Sequence, residues 1–284
     1  MNMPINETPR PSDIARTRFD MPATPLHLLA DLSRMVWLHY ACPAEALQSR
    51  VPFELDLWQG SAFVSVIAGT MRRLRPKLAS DIADDVPGLE GDQPFVALRA
   101  AVRFENQPAR FSLAWWSGGA TTPLLAAHSY GLTPSAGAID LRNVHERGQL
   151  SGGIAQGDAR FHYEAAIDPS ASFEPASDDT RDAFLLERYA ILTAADRVRR
   201  AHWLWHRPWA QTPIDATVRE DALLRGLLPR GATLVAAHYA PGACDVWVSR
   251  PLCVEGASCA RVWGDLPGDA RSPQRAQPAT SYAS

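Results

Sequence analysis

The chain has 284 residues, 46% hydrophobic and 21% charged, which suits a globular protein with a real core, built as one large domain or two small ones. Its 28 basic and 31 acidic side chains leave a net charge of −3 with no basic stripe, so nucleic acid is not an expected partner. No run approaches the roughly 20 apolar residues of a membrane span, and the start lacks a secretory pattern, so a cytoplasmic location without a membrane partner is expected.

Residues 1–24 are rich in proline and polar groups and read as a flexible leader. "RMVWLHYAC" (34–42) suits a strand, and "PAEALQSRV" then gives a short helical turn with Pro43 at its start. "FELDLWQGSAFVSVIAGTMRRL" reads as a hairpin turning at Gln59-Gly60, and residues 78–94 as a long loop. A second hairpin, "PFVALRAAVRFENQPARFSLAWWSG", turns at Glu105 to Pro108. "TPLLAAHSYGL" suits a short helix, and two strands near 148–155 and 158–167 flank Gln156-Gly157-Asp158. In "DDTRDAFLLERY" Asp178 or Asp179 can cap a helix whose apolar face holds Phe184, Leu185 and Tyr189. "RRAHWLWHRPW" returns to strand, "ATVREDALLRGLL" reads as a helix ended by Pro229 and Gly231, and "ATLVAAHYAPGACDVWVSRP" as two closing strands. The Ser-Gly-Gly triplets at 117–119 and 151–153 read as turns, and residues 264–284 as a disordered tail.

Two residue types bear on chemistry through their scarcity. Lys77 is the one lysine, and lysine is the usual Schiff-base nucleophile. Cys42, Cys244, Cys253 and Cys259 lack CxxC spacing and read as reduced, partly buried thiols, with a Cys253–Cys259 pair as the alternative.

Four stretches together carry a resemblance: "WLHYACPAEALQSRVPFELDLWQGSAFVSVIAGTMRRLRP", "FLLERYAIL", "HRPWAQTPID" and "AAHYAPGACDVWV". In this order they resemble the DUF2071 (YqjF-like) family over about residues 34–250. The resemblance implies a fold similar to acetoacetate decarboxylase, in which a strongly bent antiparallel sheet forms a cone around a small-molecule cavity. That decarboxylase family carries paired lysines after a Tyr-Gly-aromatic-Pro element, whereas "HSYGLTPSAG" (128–137) has none. Lys77, in "RRLRPKLAS", reads as solvated, so Schiff-base decarboxylation is disfavoured. DUF2071 members usually carry Glu-x-Asn-x-Arg-Thr-Tyr on a central strand. Here "FVALRAAV" keeps Arg99 but places Phe95 and Ala97 where the acid and amide would fall.

On a strand, His202, Leu204 and His206 face one side while Trp203 and Trp205 face the other. Histidines at i and i+4 there stand roughly 13 Å apart, too far to share a metal, and no metal or cofactor is expected. His206 and Trp209 fall on the His-x-Pro-Trp element, either as a cavity rim or as a fixed corner with a buried imidazole. Arg99, on an apolar strand, needs a partner if buried: Glu187 for structure, or a bound carboxylate held bidentately. In the His39-Tyr40 and His238-Tyr239 pairs the histidines are taken as cavity groups and the tyrosines as packing. No GxSxG, P-loop or dinucleotide glycine pattern is present.

The expectation is therefore an α+β, mainly antiparallel β fold: a cone- or barrel-like sheet around a cavity, with a few peripheral helices and one domain over residues 25–263. The cavity binds a small organic carboxylate or carbonyl compound through Arg99, His39, His128, Glu187, Trp209 and His238. His206 is the candidate catalytic residue for acid-base chemistry of a lyase, hydratase or isomerase type. A non-catalytic ligand-binding or scaffold protein that has lost enzymatic groups is the alternative, and a homo-oligomer is left open.

Overall fold

The segment "AFVSVIAG" is buried along its whole length, as expected of a strand covered on both faces. The computed structural model, which describes residues 9–21, 26–76, 91–118, 130–195 and 198–255, shows what covers it. In chain order the strands begin with β1 (Leu26–Cys42), β2 (Ala62–Pro76), β3 (Gln93–Phe104), β4 (Gln107–Ser117), β5 (Ala138–Leu141), β6 (Gln149–Gln156) and β7 (Ala159–Ala166). They continue with β8 (Ala190–Ala195), β9 (Val198–Trp205), β10 (Thr212–Pro213), β11 (Asp215–Glu220), β12 (Thr233–Ser249) and β13 (Leu252–Glu255). Four short helices accompany them: α1 (Pro11–Arg18), α2 (Ala44–Gln48), α3 (Arg181–Leu186) and α4 (Ala222–Leu227). None is long and apolar enough to cross a membrane.

Nine strands form one sheet in the order β10-β12-β1-β2-β3-β4-β8-β9-β13. A further pairing of β12 with β9, through Trp247↔Trp205 and Val248↔Leu204, closes the sheet into a ring. Every pairing is antiparallel except β4 with β8. A second sheet, β11-β7-β6-β5, covers the outside of the ring. Val36, Leu38, Val64 and Leu98 point outward and pack with Leu150, Ile154, Phe161 and Tyr163 of that second sheet. The alternate residues Met35, Trp37, Ile67 and Phe95 point inward, with Trp115, Leu186 and Trp209. Alternation on a doubly covered sheet thus sorts one apolar run into a core outside and a lining inside.

The bend that closes the ring comes from β-bulges, which kink a strand and increase its twist. Register shifts fall between Ser33 and Val36, where Arg34 has φ 54°, and near Arg73 at φ 48°. In β12 the bend falls at Gly242, φ 144°, where a Cβ would lie 2.1 Å from the Leu32 carbonyl oxygen. The Gln59-Gly60 and Glu105-Asn106 turns have positive φ at both residues, the geometry that matches strand twist in tight hairpins.

Several expectations are corrected. Pro11–Arg18, inside the stretch read as a flexible leader, is helical, with Ser12 and Ala15 buried. The helix expected over "ATVREDALLRGLL" is confined to Ala222–Leu227, because Asp215–Glu220 adds an edge strand to β7. The expected closing pair of strands is one bent 17-residue strand. The arm before Gln59 makes isolated bridges instead of a strand, and Thr180, not an aspartate, caps α3. Tyr189 lies beyond that helix, which ends at Leu186. Ser151–Gly153 is inside β6, where a Cβ on Gly153 would sit 2.4 Å from the Phe161 carbonyl oxygen. Cys42 and Cys244 are free thiols, whereas Cys253 is disulfide-bonded. Lys77, Cys259 and the tail from residue 264 lie outside the described residues, as does most of the helix expected at 122–132.

Candidate functional site

The inward face of the ring lines a cavity of about 170 Å³. Apolar cavities of roughly this size, about 150 Å³, take a benzene-sized guest. Its walls are made by strand register. Trp37, Ile67, Ala97 and Trp115 stand side by side across β1 to β4, and the next row toward the β1 N-terminus is Met35, Gly69 and Phe95. Gly69 has no side chain because Met35 fills its place: a Cβ there would meet Met35 Sδ at 2.2 Å. A bulge between Leu98 and Arg99 shifts β4, so Arg110 and Trp115 share the inner face despite their odd spacing. From β9, His202 and Leu204 point inward, followed by His206 and Trp209 beyond the strand end.

Three arginines reach the lining, in three different electrostatic states. Arg188 is buried and paired: its Nη1 donates to Asp56 Oδ2 at 2.8 Å and its Nε to the Phe184 carbonyl at 2.8 Å. Arg110 spends Nη2 on the last carbonyls of α3, Leu185 at 2.6 Å and Leu186 at 3.3 Å. Its other guanidinium nitrogens have no partner among the described residues. Arg99 has none at all among them, and its Nε is fully buried. The accessible part of Arg99 belongs to a side chain that lines the cavity. Burial pushes the Arg99 guanidinium down to about 10. Arg110 is pushed well below its usual range by burial, and further by the charges of Arg188 and Arg99.

The His206–Trp209 corner is held from behind by Glu187. Its Oε1 accepts from the Trp209 backbone N–H at 3.1 Å, and its Oε2 accepts from the Tyr189 hydroxyl. Burial raises the Glu187 carboxyl. Tyr189 stacks on His206 at 4.9 Å, His206 on Trp209 at 4.3 Å, and Trp209 meets Trp37 edge-on at 4.9 Å. His206 Nδ1 lies 2.7 Å from the Arg207 carbonyl, which can only accept, so Nδ1 carries the proton and Nε2 is left as an acceptor. Burial pushes His206 down to about 4, so its ring is neutral at pH 7. His202, pushed down to about 3 by burial and then by Arg99, has a buried Nδ1 without a partner. Tyr130, edge-on to His202 at 4.8 Å, spends its hydroxyl on His27 at 2.9 Å and on the Ser249 carbonyl at 3.2 Å.

Of the residues expected here, Arg99, His206 and Trp209 line the cavity. Glu187 is neither a lining residue nor the partner of Arg99: it braces the corner. His39 and His238 face inward but lie beyond the lining. His39 Nδ1 is 2.8 Å from Ser65 Oγ, His238 Nε2 is 3.2 Å from Asp182 Oδ1, and the two rings meet at 5.1 Å. Burial lowers both histidines from their ordinary value. His128 lies outside the described residues. Phe95 and Ala97, standing where the resembled family has an acid and an amide, are a lining aromatic and a buried alanine. Arg110, Tyr130 and His202 were missed as site residues. His202 had a signal, sharing a strand face with His206, while Arg110 had none, because the bulge that turns it inward leaves no mark in the sequence. Among the described residues no group of three His, Cys, Asp or Glu is placed to hold a metal ion.

Comparison with known proteins gives a family and a fold. DUF2071, described as "Uncharacterized conserved protein", matches the chain over residues 30–244. No curated protein matches it. Among solved structures, the enduracididine biosynthesis enzyme MppR, complexed with the condensation product of pyruvate and imidazole 4-carboxaldehyde, superposes with a TM-score of 0.55 at 13% identity, covering 81% of this chain and 89% of that one. An acetoacetate decarboxylase-like enzyme from Sphingomonas wittichii RW1 gives 0.54 at 13% identity, covering 80% and 93%. Acetoacetate decarboxylase from Legionella pneumophila gives 0.52 at 12% identity, covering 89% and 98%. At such identities the likeness is one of fold.

Proposed function

The chain belongs to the DUF2071 family and has an acetoacetate decarboxylase-like fold, and from that premise we propose that its cavity binds a small organic carboxylate. The observation that carries this reading is Arg99: a guanidinium in a largely apolar cavity with no counter-charge among the described residues. A buried cation without a partner is costly, and a carboxylate offers the planar, two-oxygen geometry that a guanidinium matches. Arg110, with nitrogens to spare, adds to the same positive field. MppR, of similar fold, is complexed with pyruvate in one structure, a guest that carries a carboxylate.

The chemistry available to a bound carbonyl acid is proton transfer by His206. Its Nε2 is an acceptor fixed in direction by the Nδ1 bond to Arg207, and its ring plane is set by Tyr189 and Trp209. No lysine is among the described lining residues, so Schiff-base decarboxylation has no nucleophile there. The activity class is acid-base chemistry on a carbonyl compound, of the lyase, hydratase or isomerase kind.

Titration calorimetry with benzoate and pyruvate, on the wild type and on Arg99→Met, tests the binding step. Binding by the wild type that falls by 30-fold or more in the variant, with an unchanged circular dichroism spectrum, is the expected result. Equal affinity in the two proteins would remove the reading.

A further inference from the structure

We infer that the guest of this cavity is a monocarboxylate with an apolar tail, bound head first, and not a dicarboxylate or a compact oxo acid. The inference rests on the carboxylate reading above and adds the tail to it. Register along β1 to β4 gives the cavity a direction. Arg110 stands opposite Ala101, and Arg99 opposite Ser65 and Ser112, one step nearer the aromatic row of Trp37 and Trp115. The Arg110 guanidinium sits at this end, on the last carbonyls of α3, with Leu186 among the lining residues, and Arg99 is close enough for its charge to act on Arg110. Beyond the aromatic row come Leu32 opposite Met71, and then Leu28, paired across to Val248. Leu74 and Leu132 complete this end, packed with Tyr130.

The order along the cavity is thus cationic, aromatic, aliphatic. A single anionic group satisfies the cationic end. A second one, on a guest long enough to span the cavity, would lie among leucine, methionine and valine side chains, where the polar lining groups are the neutral His202 ring and a Tyr130 hydroxyl already engaged at both its partners. Each methylene placed against the aliphatic end removes apolar surface from water. A cavity of about 170 Å³ has room for a phenyl ring or a chain of about five carbons beside the carboxylate.

Titration calorimetry with butanoate, hexanoate, benzoate, pyruvate, succinate and hexan-1-ol decides it. Each added methylene tightens binding about fourfold, so hexanoate binds about 15-fold more tightly than butanoate. Benzoate ranks with hexanoate, while pyruvate and succinate bind more weakly than butanoate. Equal affinities for hexanoate, butanoate and pyruvate, all lost in Arg99→Met, would overturn the tail while leaving the carboxylate reading intact. So would succinate as the tightest ligand. Hexan-1-ol equal to hexanoate, or no binding by any carboxylate, would overturn the carboxylate reading itself and the tail with it.

Discussion

Replacing Arg99 by methionine should stabilise the protein while abolishing its ligand binding. Most buried arginines behave in the opposite way, because removing one partner of a buried ion pair strands the other and costs about 3–5 kcal/mol. Arg99 has no partner to strand among the described residues. Burial lowers its pKa from 12.5 to about 10, which corresponds to roughly 3 kcal/mol held against the charged native form. Methionine keeps the length and apolar stem of the side chain and removes the charge, so about 2–3 kcal/mol is recovered. That corresponds to a rise in Tm of about 5 °C for a domain of this size. Differential scanning calorimetry of both proteins at pH 7, without ligand, measures it. Benzoate should raise the Tm of the wild type and leave that of the variant unmoved. A variant whose Tm falls by several degrees would refute the reasoning, because it would mean that Arg99 holds a structural counter-charge.

Asp56→Asn is the control on the same cavity wall: it leaves Arg188 buried without its carboxylate at 2.8 Å, so a loss of about 3–5 kcal/mol in urea unfolding is expected. Gly242→Ala places a Cβ 2.1 Å from the Leu32 carbonyl oxygen at φ 144°, where neither backbone can yield, and should cost at least about 3 kcal/mol or prevent folding, as expression and melting will show. Gly60→Ala, with open space around it and a φ of 80°, should cost only about 1 kcal/mol by the same assay. Acid should destabilise the fold through its histidines. His202 and His206 stay neutral when folded down to about 3 and about 4, whereas the unfolded chain protonates both as pH falls through 6.5. The unfolded state therefore binds more protons in that window, and stability falls on acidification by up to about 1.4 kcal/mol per pH unit for each ring. Glu187, whose carboxyl is raised by burial, works in the opposite sense. Urea midpoints at pH 7.0, 5.5 and 4.5 should drop in that order, and a flat series would show that these rings are not held neutral by the fold.

Much of the fold was legible because periodicity survives burial. The β3–β4 hairpin announced itself through Glu105-Asn106, a residue pair that accepts positive φ, and β2 through its apolar run after the Gln59-Gly60 turn. The edge strand Asp215–Glu220 was misread because an exposed strand carries polar residues at a spacing a helix also permits, and only its pairing to β7 decides. Arg99 and His206 were legible as odd polar groups on apolar strands. The different states of Arg99, Arg110 and Arg188 were not, since a sequence shows three arginines and only the fold decides which one finds Asp56. His39 and His238 show the reverse limit. Strand parity places them on the inner face, in the rows of Arg99 and Trp37, yet neither lines the cavity, because their rings turn to Ser65, to Asp182 and to each other.

His206 presents the sharper chemical problem, because an imidazole protonated only near pH 4 is a weak base. The cause is burial first, opposed by the Arg207 carbonyl and reinforced by the charge of Arg110. One of these causes changes when a carboxylate binds, because the positive field of Arg110 is neutralised, and a negative charge is added within the same cavity. A carboxylate within about 4–6 Å moves a neighbouring group toward its cationic form by about 1–3 pKa units. On the role proposed for His206, the guest thereby raises the basicity of the ring that would take its proton. NMR titration of the His206 ring in the free and the benzoate-saturated protein tests this directly, with His206→Asn to assign the signal. An upward move on saturation is expected in the wild type. A midpoint that stays near 4 with benzoate bound would leave His206 as a hydrogen-bond acceptor that orients the guest, and would withdraw it from proton transfer.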